Sequence, residues 1–330
     1  MKTGGKQVGL FITFIVFVFL ILDSKYVFTY AADGIDLCLR SVIPALFPLI
    51  VLSIYITGNL TGGIPILGSI GKLCRIPRGS EAILLTGLLG GYPVGAQAVT
   101  QAWEAGVLSG SDAGRMLGFC NNAGPAFLFG IIAPMFQSTN QAWLLWLIHV
   151  TAALITGILL PGGNNTETEP IHRSIPFPKA LERGIRVMAS ICGWVVIFRI
   201  FIGILNRWCF CFLPEEIEIF FNGILELTNG CLLLEGIGSE ALRFLMASVF
   251  LSLGGICVGM QTLSVTGKLG LGDYFPGKLL QTFLSISICG SIYPIELPYL
   301  LHTGILGTAL LSLFLHFGKN NSSIFPMQRV

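Results

Sequence analysis

Residues 89–97 read LGGYPVGAQ, and residues 253–261 read LGGICVGMQ. The two stretches share their Leu-Gly-Gly, Val-Gly and Gln positions in one register. With one gap, the match extends to Arg115 and Lys278, and an apolar run follows each of these two basic residues. Self-similarity at a constant offset indicates an internal structural repeat, so we predict that the chain consists of two homologous halves.

The composition predicts a polytopic integral membrane protein. Hydrophobic residues make up 53% of the chain and charged residues only 11%, and the mean hydropathy is +0.80. A soluble domain carries about 25% charged residues, so this chain cannot cover itself with a water-facing surface. Its length allows about eight spanning helices of about 20 residues each. We predict an all-α fold, and the net charge of +2 indicates no nucleic-acid partner.

Long apolar runs and one polar stretch organise the chain. We predict a first repeat at 1–160, a cytoplasmic loop at 161–184 and a second repeat at 185–330. The first repeat is predicted to contain an N-terminal helix at 8–22, a re-entrant hairpin around 82–102 and a broken helix at 119–136. The second repeat is predicted to contain a helix at 217–234, a hairpin around 244–265 and C-terminal helices.

The orientation of the second half stays open at the sequence level. The positive-inside rule places Lys72 and its basic neighbours, together with the central loop, on the cytoplasmic side. If 217–234 crosses the membrane, both hairpins lie on that side. If 217–234 lies in the interface, the halves are inverted and the tail with Lys319 falls outside. The symmetry of an alternating-access mechanism favours the inverted arrangement.

The Gly-rich breaks are the first candidate solute site. Glycine and proline interrupt a helix and free backbone groups, which in lipid need a partner, a solute or cavity water. Paired interruptions at matching places in two halves point to a transporter binding site. The alternative is that the glycines only allow close helix packing. The candidate residues are Gly91, Tyr92, Pro93, Gly95 and Gln97 in the first half and Gly255, Gly259 and Gln261 in the second.

Polar residues at membrane depth are the second set of candidates. They are Asn121, Asn122 and Gly124 in the first half and Glu226, Thr228 and Asn229 in the second. A carboxylate inside an apolar run is expected to face the bundle interior, and Arg199 is a candidate partner for Glu226. The alternatives are a structural hydrogen-bond network or an interfacial helix with the carboxylate in water. Arg115 and Lys278 suit either the approach of an anion or the anchoring of helix ends.

No catalytic arrangement is recognisable in the sequence. The chain contains no GxSxG elbow, no P-loop, no HExxH motif and no dinucleotide fingerprint. The cysteines show no metal-ligand spacing. We therefore expect no enzyme activity, no metal site and no cofactor. His149 and His302 are candidate proton carriers, with packing as the alternative role.

Two motifs carry a resemblance to a known family. The stretch GGYPVGAQ at 90–97, followed by RMLGFCNNAGP at 115–125, resembles the YlbJ/SpoVV-type sporulation integral membrane proteins of the nucleoside-recognition (Gate) domain superfamily. The resemblance implies a transporter of endospore-forming bacteria that moves dipicolinate from the mother cell toward the forespore. The wider superfamily resembles concentrative nucleoside transporters, in which two re-entrant hairpins and broken helices surround the solute. Gln97 stands where many members are expected to carry a basic residue, which weakens the implied preference for an anion.

We therefore predict a secondary transporter of a small organic anion such as dipicolinate, located in the mother-cell or forespore membrane. The N-termini of the half-helices and the amides of Asn121 and Asn122 are expected to bind a carboxylate. Expected partners are the solute, the lipid bilayer and a coupling ion, either H⁺ or Na⁺, and homo-oligomer formation is left open. The alternatives are a carrier of nucleosides or another neutral solute, and a non-transporting scaffold for spore assembly.

Overall fold

The computed structural model describes residues 20–59, 65–136, 138–163 and 174–322, together with residues 10, 14, 17 and 18. Most of the predicted N-terminal helix at 8–22 and residues 164–173 of the predicted loop at 161–184 lie outside these residues. A helix begins at Phe177, so the predicted loop extends too far toward the C-terminus. The described chain is helical and contains no β-strand within those ranges, which confirms the predicted all-α class.

The first half contains helices that range from a single turn to full membrane length. They are α1 (Ser24–Leu37), a π-helical turn (Cys38–Val42), α2 (Ile43–Asn59), α3 (Pro65–Leu73), α4 (Glu81–Gly90), α5 (Val94–Glu104), α6 (Gly110–Cys120), α7 (Pro125–Phe127) with a π-helical turn (Leu128–Ile132) and a 3₁₀ turn (Ala133–Met135), and α8 (Thr139–Leu159). Serine side chains cap the starts of α6 and α8, because Ser109 accepts the N–H of Asp112 and Ser138 accepts the N–H of Asn140.

The second half begins with a long helix and continues with shorter ones. Its elements are α9 (Phe177–Trp208), a 3₁₀ turn (Phe210–Phe212), α10 (Glu215–Leu225), α11 (Leu227–Leu233) with a 3₁₀ turn (Leu234–Gly236), α12 (Glu240–Leu253), α13 (Gly255–Thr266) with a 3₁₀ turn (Gly267–Leu269), α14 (Tyr274–Ile292) and α15 (Leu300–Ser322).

Among the described residues, six helical stretches are long and apolar enough to cross a bilayer. They are Ser24–Ile56, Gly110–Met135, Thr139–Leu159, Phe177–Trp208, Glu240–Leu269 and Leu300–Lys319. Their burial differs widely: 72% of the apolar window in Gly110–Met135 is buried inside the protein, against 6% in Leu300–Lys319. The interrupted stretches therefore form the centre of the bundle, and α15 presents most of its surface to the outside.

Two pairs of short helices fold back on themselves. Helices α4 and α5 pack along one another, and so do α10 and α11. The packing is close because glycines face each other: a Cβ added at Gly95 would lie 2.9 Å from the Cα of Gly87, and one added at Gly230 would overlap Gly223. The α4–α5 pair and the α10–α11 pair are called the first and second hairpin below.

The second hairpin lies one element earlier than predicted. The predicted helix at 217–234 is wrong, since the chain leaves helical geometry at Glu226 and α10 and α11 fold together. The predicted hairpin around 244–265 is also wrong, because α12 and α13 meet near Gly254 without packing along each other. Positive φ angles at Gly254 (77°) and Gly255 (78°) redirect the chain there without reversing it.

The order of elements is nevertheless the same in both halves. In each half a hairpin is followed by an interrupted helix, which is α6–α7 with its break at 121–124 in the first half and α12–α13 with its break at Gly254 in the second. The sequence match between 89–97 and 253–261 thus pairs the tip of a hairpin with the break of an interrupted helix. Both stretches need glycine for their local backbone geometry, but they do not occupy equivalent places in the fold.

Candidate functional site

The helix breaks surround one small cavity. Its volume is about 40 Å³, which is room for a few water molecules. The residues that line it come from both hairpin tips, both interrupted helices and the neighbouring helices α2 and α9. They are Val42, Leu46, Gly91, Tyr92, Ala123, Gly124, Phe127, Ile191, Val195, Glu226, Leu227, Thr228, Val258 and Gln261. The lining is apolar except for the carboxylate of Glu226, the amide of Gln261 and the hydroxyl groups of Tyr92 and Thr228.

Glycine contacts within each half, and one tyrosine between the halves, hold the helix breaks together at this cavity. A Cβ added at Gly91 would lie 3.1 Å from the backbone nitrogen of Gly124, so the first hairpin tip rests on the break of α6–α7. Tyr92 crosses to the other half, where its hydroxyl group donates a 3.2 Å hydrogen bond to the carbonyl of Leu251 in α12. A Cβ added at Gly255 would lie 2.9 Å from the carbonyl of Ile224, at the second hairpin tip. Larger residues at these glycines would push the breaks apart.

Some of the predicted site residues line the cavity, and the others lie outside its lining. Those that line the cavity are Gly91, Tyr92, Gly124, Glu226, Thr228 and Gln261. Those that lie outside the lining are Pro93, Gly95, Gln97, Asn121, Asn122, Asn229, Gly255 and Gly259. Pro93 is the N-cap of α5, and Gly95 packs against the carbonyl of Cys120, so both shape the hairpin.

Asn121 ties the two interrupted helices to the first hairpin. Its Oδ1 accepts the N–H of Ala96 at 3.2 Å, and its Nδ2 donates to Oγ1 of Thr262 in α13 at 2.9 Å. The side chain is fully buried. Because both ends of the amide bind protein groups, Asn121 acts in this conformation as a bridge between α5 and α13 and not as a group that faces a solute.

Asn122 belongs to a chain of buried polar groups behind the cavity. Its Nδ2 donates to the carbonyl of Phe119 at 2.7 Å, and its Oδ1 accepts a 3.0 Å hydrogen bond from Nζ of Lys278. The same ammonium group donates to Oε1 of Gln281 at 2.7 Å. Nε2 of Gln281 then donates to the carbonyl of His149 at 3.2 Å, and this bond turns the amide oxygen of Gln281 toward Lys278.

His149 connects this chain to the cavity wall. Its Nε2 accepts the N–H of Ala123 at 3.2 Å, and Ala123 is part of the lining. The ring is buried with 2% of its surface exposed. Gln281 was not singled out from the sequence. The available signal was the lysine three residues before it, since a basic residue inside an apolar helix needs polar neighbours.

Glu226 occupies the tip of the second hairpin and lines the cavity. Its carboxylate caps α11: Oε1 accepts the N–H of Thr228 at 3.0 Å, and Oε2 accepts the N–H of Asn229 at 2.6 Å. The predicted ion pair with Arg199 is not formed, because no nitrogen of that arginine lies within salt-bridge distance of the carboxylate. Helix capping holds this carboxylate in place, and the charge of Arg199 acts on it from beyond salt-bridge distance.

Two amides near Glu226 lack hydrogen-bond partners among the described residues. They are both polar atoms of Asn222 in α10 and Nδ2 of Asn229 in α11. Both side chains are buried. Buried amides without partners are costly, by about 1–3 kcal/mol per group. The second hairpin therefore holds polar groups that its own fold does not satisfy.

Arg115 has a different environment from the one predicted. It is buried, with 1% of its surface exposed, and it donates to the carbonyls of Cys74, Leu160 and Gly157. These carbonyls lie at the C-terminal ends of α3 and α8. Both predicted roles, anion approach and snorkelling anchor, are therefore wrong for Arg115, which joins helix ends inside the protein.

Comparison with known proteins identifies one distant relative. No family model matches the chain, and no solved structure matches it. The sporulation integral membrane protein YlbJ of Bacillus subtilis (strain 168) is 21% identical over 308 residues, a match that covers 77% of this chain and 74% of YlbJ. The membership of the Gate-domain superfamily that the motifs imply stays a prediction. Together with the six apolar helices, the match shows that the chain is an integral membrane protein related to the sporulation protein YlbJ.

Proposed function

We propose that this protein is a secondary transporter of a small organic anion, with dipicolinate as the first candidate solute. One observation carries the proposal: the cavity lies where both hairpin tips and both interrupted helices meet. In a bilayer, non-helical backbone is tolerated only where protein or cavity water satisfies it. A scaffold protein gains nothing from such breaks, whereas a carrier needs polar backbone and mobile tips at the solute.

The ends of the half-helices favour an anion. Helix α5 begins at Val94, two residues after the cavity residue Tyr92, and α13 begins at Gly255, three residues before the cavity residue Val258. The N-terminus of a helix carries a partial positive charge. Two such ends beside one cavity support the binding of a carboxylate there.

The proposed cycle uses the hairpins as gates on opposite faces of the membrane. In this arrangement each hairpin is re-entrant, and the halves are inverted relative to one another. Contacts between helix ends support it: Nζ of Lys319 lies 3.0 Å from the carbonyl of Pro161 and 3.1 Å from Oδ2 of Asp273. Arg75 binds the carbonyls of Ile158 and Leu160 on the same side.

These contacts place the C-terminal end of α15 beside the basic loop that follows α3. Inverted halves therefore do not require a tail outside the cell, and the positive-inside rule is met by both segments. Cysteine accessibility in sealed vesicles tests the arrangement. We expect the variants K72C and K268C to react from one side and native Cys211 to react from the other. Labelling of K72C and K268C from opposite sides would overturn the proposed inversion.

The cavity is small in this conformation. Its volume of about 40 Å³ is far below the several hundred Å³ of pockets that hold drug-sized ligands. Dipicolinate binding therefore requires the hairpin tips to move away from the interrupted helices. The glycine contacts between Gly91 and Gly124 and between Gly255 and Ile224 are the places where this separation would begin.

Uptake into proteoliposomes tests the proposed function. Terbium ions inside vesicles become luminescent when dipicolinate enters and binds them. We expect purified wild-type protein to accelerate the appearance of the signal over protein-free vesicles, and the variant T228V, altered at the cavity, to slow it. The variant T29V, at an exposed threonine of α1 outside the cavity, is the matched control. A wild-type rate equal to that of protein-free vesicles would contradict transport of dipicolinate.

A neutral solute is the second candidate, and the lining itself favours it. Glu226, Thr228 and Gln261 present a carboxylate, a hydroxyl group and an amide to the cavity, which suits hydroxyl and N–H donors of a nucleoside-like molecule. Competition distinguishes the two solutes. Inhibition by uridine without inhibition by unlabelled dipicolinate, in an assay of nucleoside uptake, would favour the neutral solute.

A further inference from the structure

We propose that Lys278 supplies the positive charge that selects an anionic solute at this cavity. The inference rests on the proposed transport function and adds to it the residue that determines the charge of the solute. Lys278 lies on α14, does not line the cavity itself, and acts on the solute through its electric field.

The ammonium group of Lys278 lies directly behind the cavity wall. Its Nζ is 5.4 Å from the centre of the Tyr92 ring, and Tyr92 lines the cavity. The same nitrogen donates to Oδ1 of Asn122 at 3.0 Å, next to the lining residue Ala123. The lysine side chain is 0% exposed. One aromatic ring and one peptide unit thus separate its charge from the bound solute.

Within the described part of the chain, Lys278 forms no ion pair with a carboxylate. Its two partners are the neutral amides of Asn122 and Gln281. Moving an ammonium group out of water is expensive, and amide dipoles offset only part of the cost. A negative charge that arrives in the cavity would offset more of it, so the solute and the lysine stabilise each other.

Arg115 shows what a purely structural buried cation looks like in the same protein. Its guanidinium group binds the carbonyls of Cys74, Gly157 and Leu160 at the ends of two helices. Helix C-termini carry partial negative charge, so this cation is compensated by the fold. The hydrogen-bond partners of Lys278 are the side-chain amides of Asn122 and Gln281 and not helix ends.

The carboxylate of Glu226 does not form an ion pair with Lys278. It lines the cavity, and it accepts the N–H groups of Thr228 and Asn229 at the start of α11. Its negative charge is therefore stabilised locally by the helix that it caps.

Two solutes of the same shape and different charge test the inference. Dipicolinate is a dianion, and its diamide has the same ring and substituent pattern without charge. At a separation of about 10 Å and an effective dielectric constant of about 20, one pair of unit charges changes affinity by about tenfold. We expect K278Q to reduce the preference for dipicolinate over the diamide by about tenfold or more.

The variants separate charge from structure. K278R keeps the charge and is expected to retain the wild-type preference, whereas K278M removes both charge and hydrogen bonds and is expected to lose it as K278Q does. K268Q removes a lysine charge from an exposed turn and is the matched control. Binding is measured by competition for the purified protein in detergent, together with the melting temperature of each variant.

The possible results separate the role of Lys278 from the proposed transport of an anion. A wild type that prefers dipicolinate and a K278Q variant that loses this preference while binding the diamide support the role of Lys278. Unchanged selectivity in K278Q overturns that role and leaves anion transport intact. A wild type that prefers the diamide, or binds neither compound, overturns both the anion proposal and the role of Lys278.

Discussion

Replacement of Asn121 by alanine distinguishes a bridge from a solute ligand. The change removes the acceptor for the buried N–H of Ala96 and the donor to Thr262. An unsatisfied buried N–H costs about 1–3 kcal/mol, and the second hydrogen bond contributes about 1 kcal/mol, so we expect N121A to lose about 2–4 kcal/mol of stability. At about 2–4 °C per kcal/mol, the melting temperature should fall by about 4–16 °C.

The assay is thermal unfolding of the purified protein in detergent, without and with dipicolinate. N140A is the matched control, because Asn140 is exposed at the start of α8. A double-mutant cycle with T262V isolates the bond between Asn121 and Thr262, and we expect a coupling of about 1 kcal/mol. An N121A protein with unchanged melting temperature and lost dipicolinate binding would refute the bridge and make Asn121 a solute ligand.

Two further substitutions test how the helices are joined. R115M removes the hydrogen bonds to three helix-end carbonyls, and we expect it to lower the free energy of unfolding by about 3 kcal/mol or more. The control R186M, in an exposed i,i+4 ion pair on α9, should change the stability little. Equal effects of the two variants would contradict the assigned role of Arg115. G230V places a side chain where Gly223 lies, so we expect size-exclusion chromatography to show no folded protein. The control G238V should remain folded, because Gly238 is exposed and a Cβ there meets open space. A monodisperse G230V protein would argue against the second hairpin.

Several levels of the fold could be predicted from the sequence. The low charge and long apolar runs determine an all-α membrane protein, because no other secondary structure satisfies its backbone in lipid without closing a barrel. The break at 121–124 was predictable as well, since two asparagines followed by Gly-Pro oppose a continuous helix. The place of the second hairpin was not predictable in the same way. A glycine pair indicates that a helix breaks, but tertiary packing decides whether the chain reverses or continues.

The candidate site could likewise be predicted only in part from the sequence. Glu226 stood out because a carboxylate in an apolar run is costly, and the structure places it on the cavity. Its predicted partner Arg199 forms no salt bridge with it, and the N–H groups at the start of α11 bind the carboxylate instead, although the charge of Arg199 still acts on it. The chain of contacts from Asn122 through Lys278 to Gln281 joins residues more than 150 positions apart. Spacing along the sequence carries no information about such contacts.

Solute protection of a cysteine in the cavity tests the central claim most directly. Val258 lines the cavity and Lys268 lies on an exposed turn of the same segment. In a cysteine-free background, we expect saturating dipicolinate to slow the reaction of V258C with a small maleimide several-fold and to leave the reaction of K268C unchanged. Equal rates for V258C with and without dipicolinate, in protein that transports it, would contradict solute binding at the meeting point of the helix breaks.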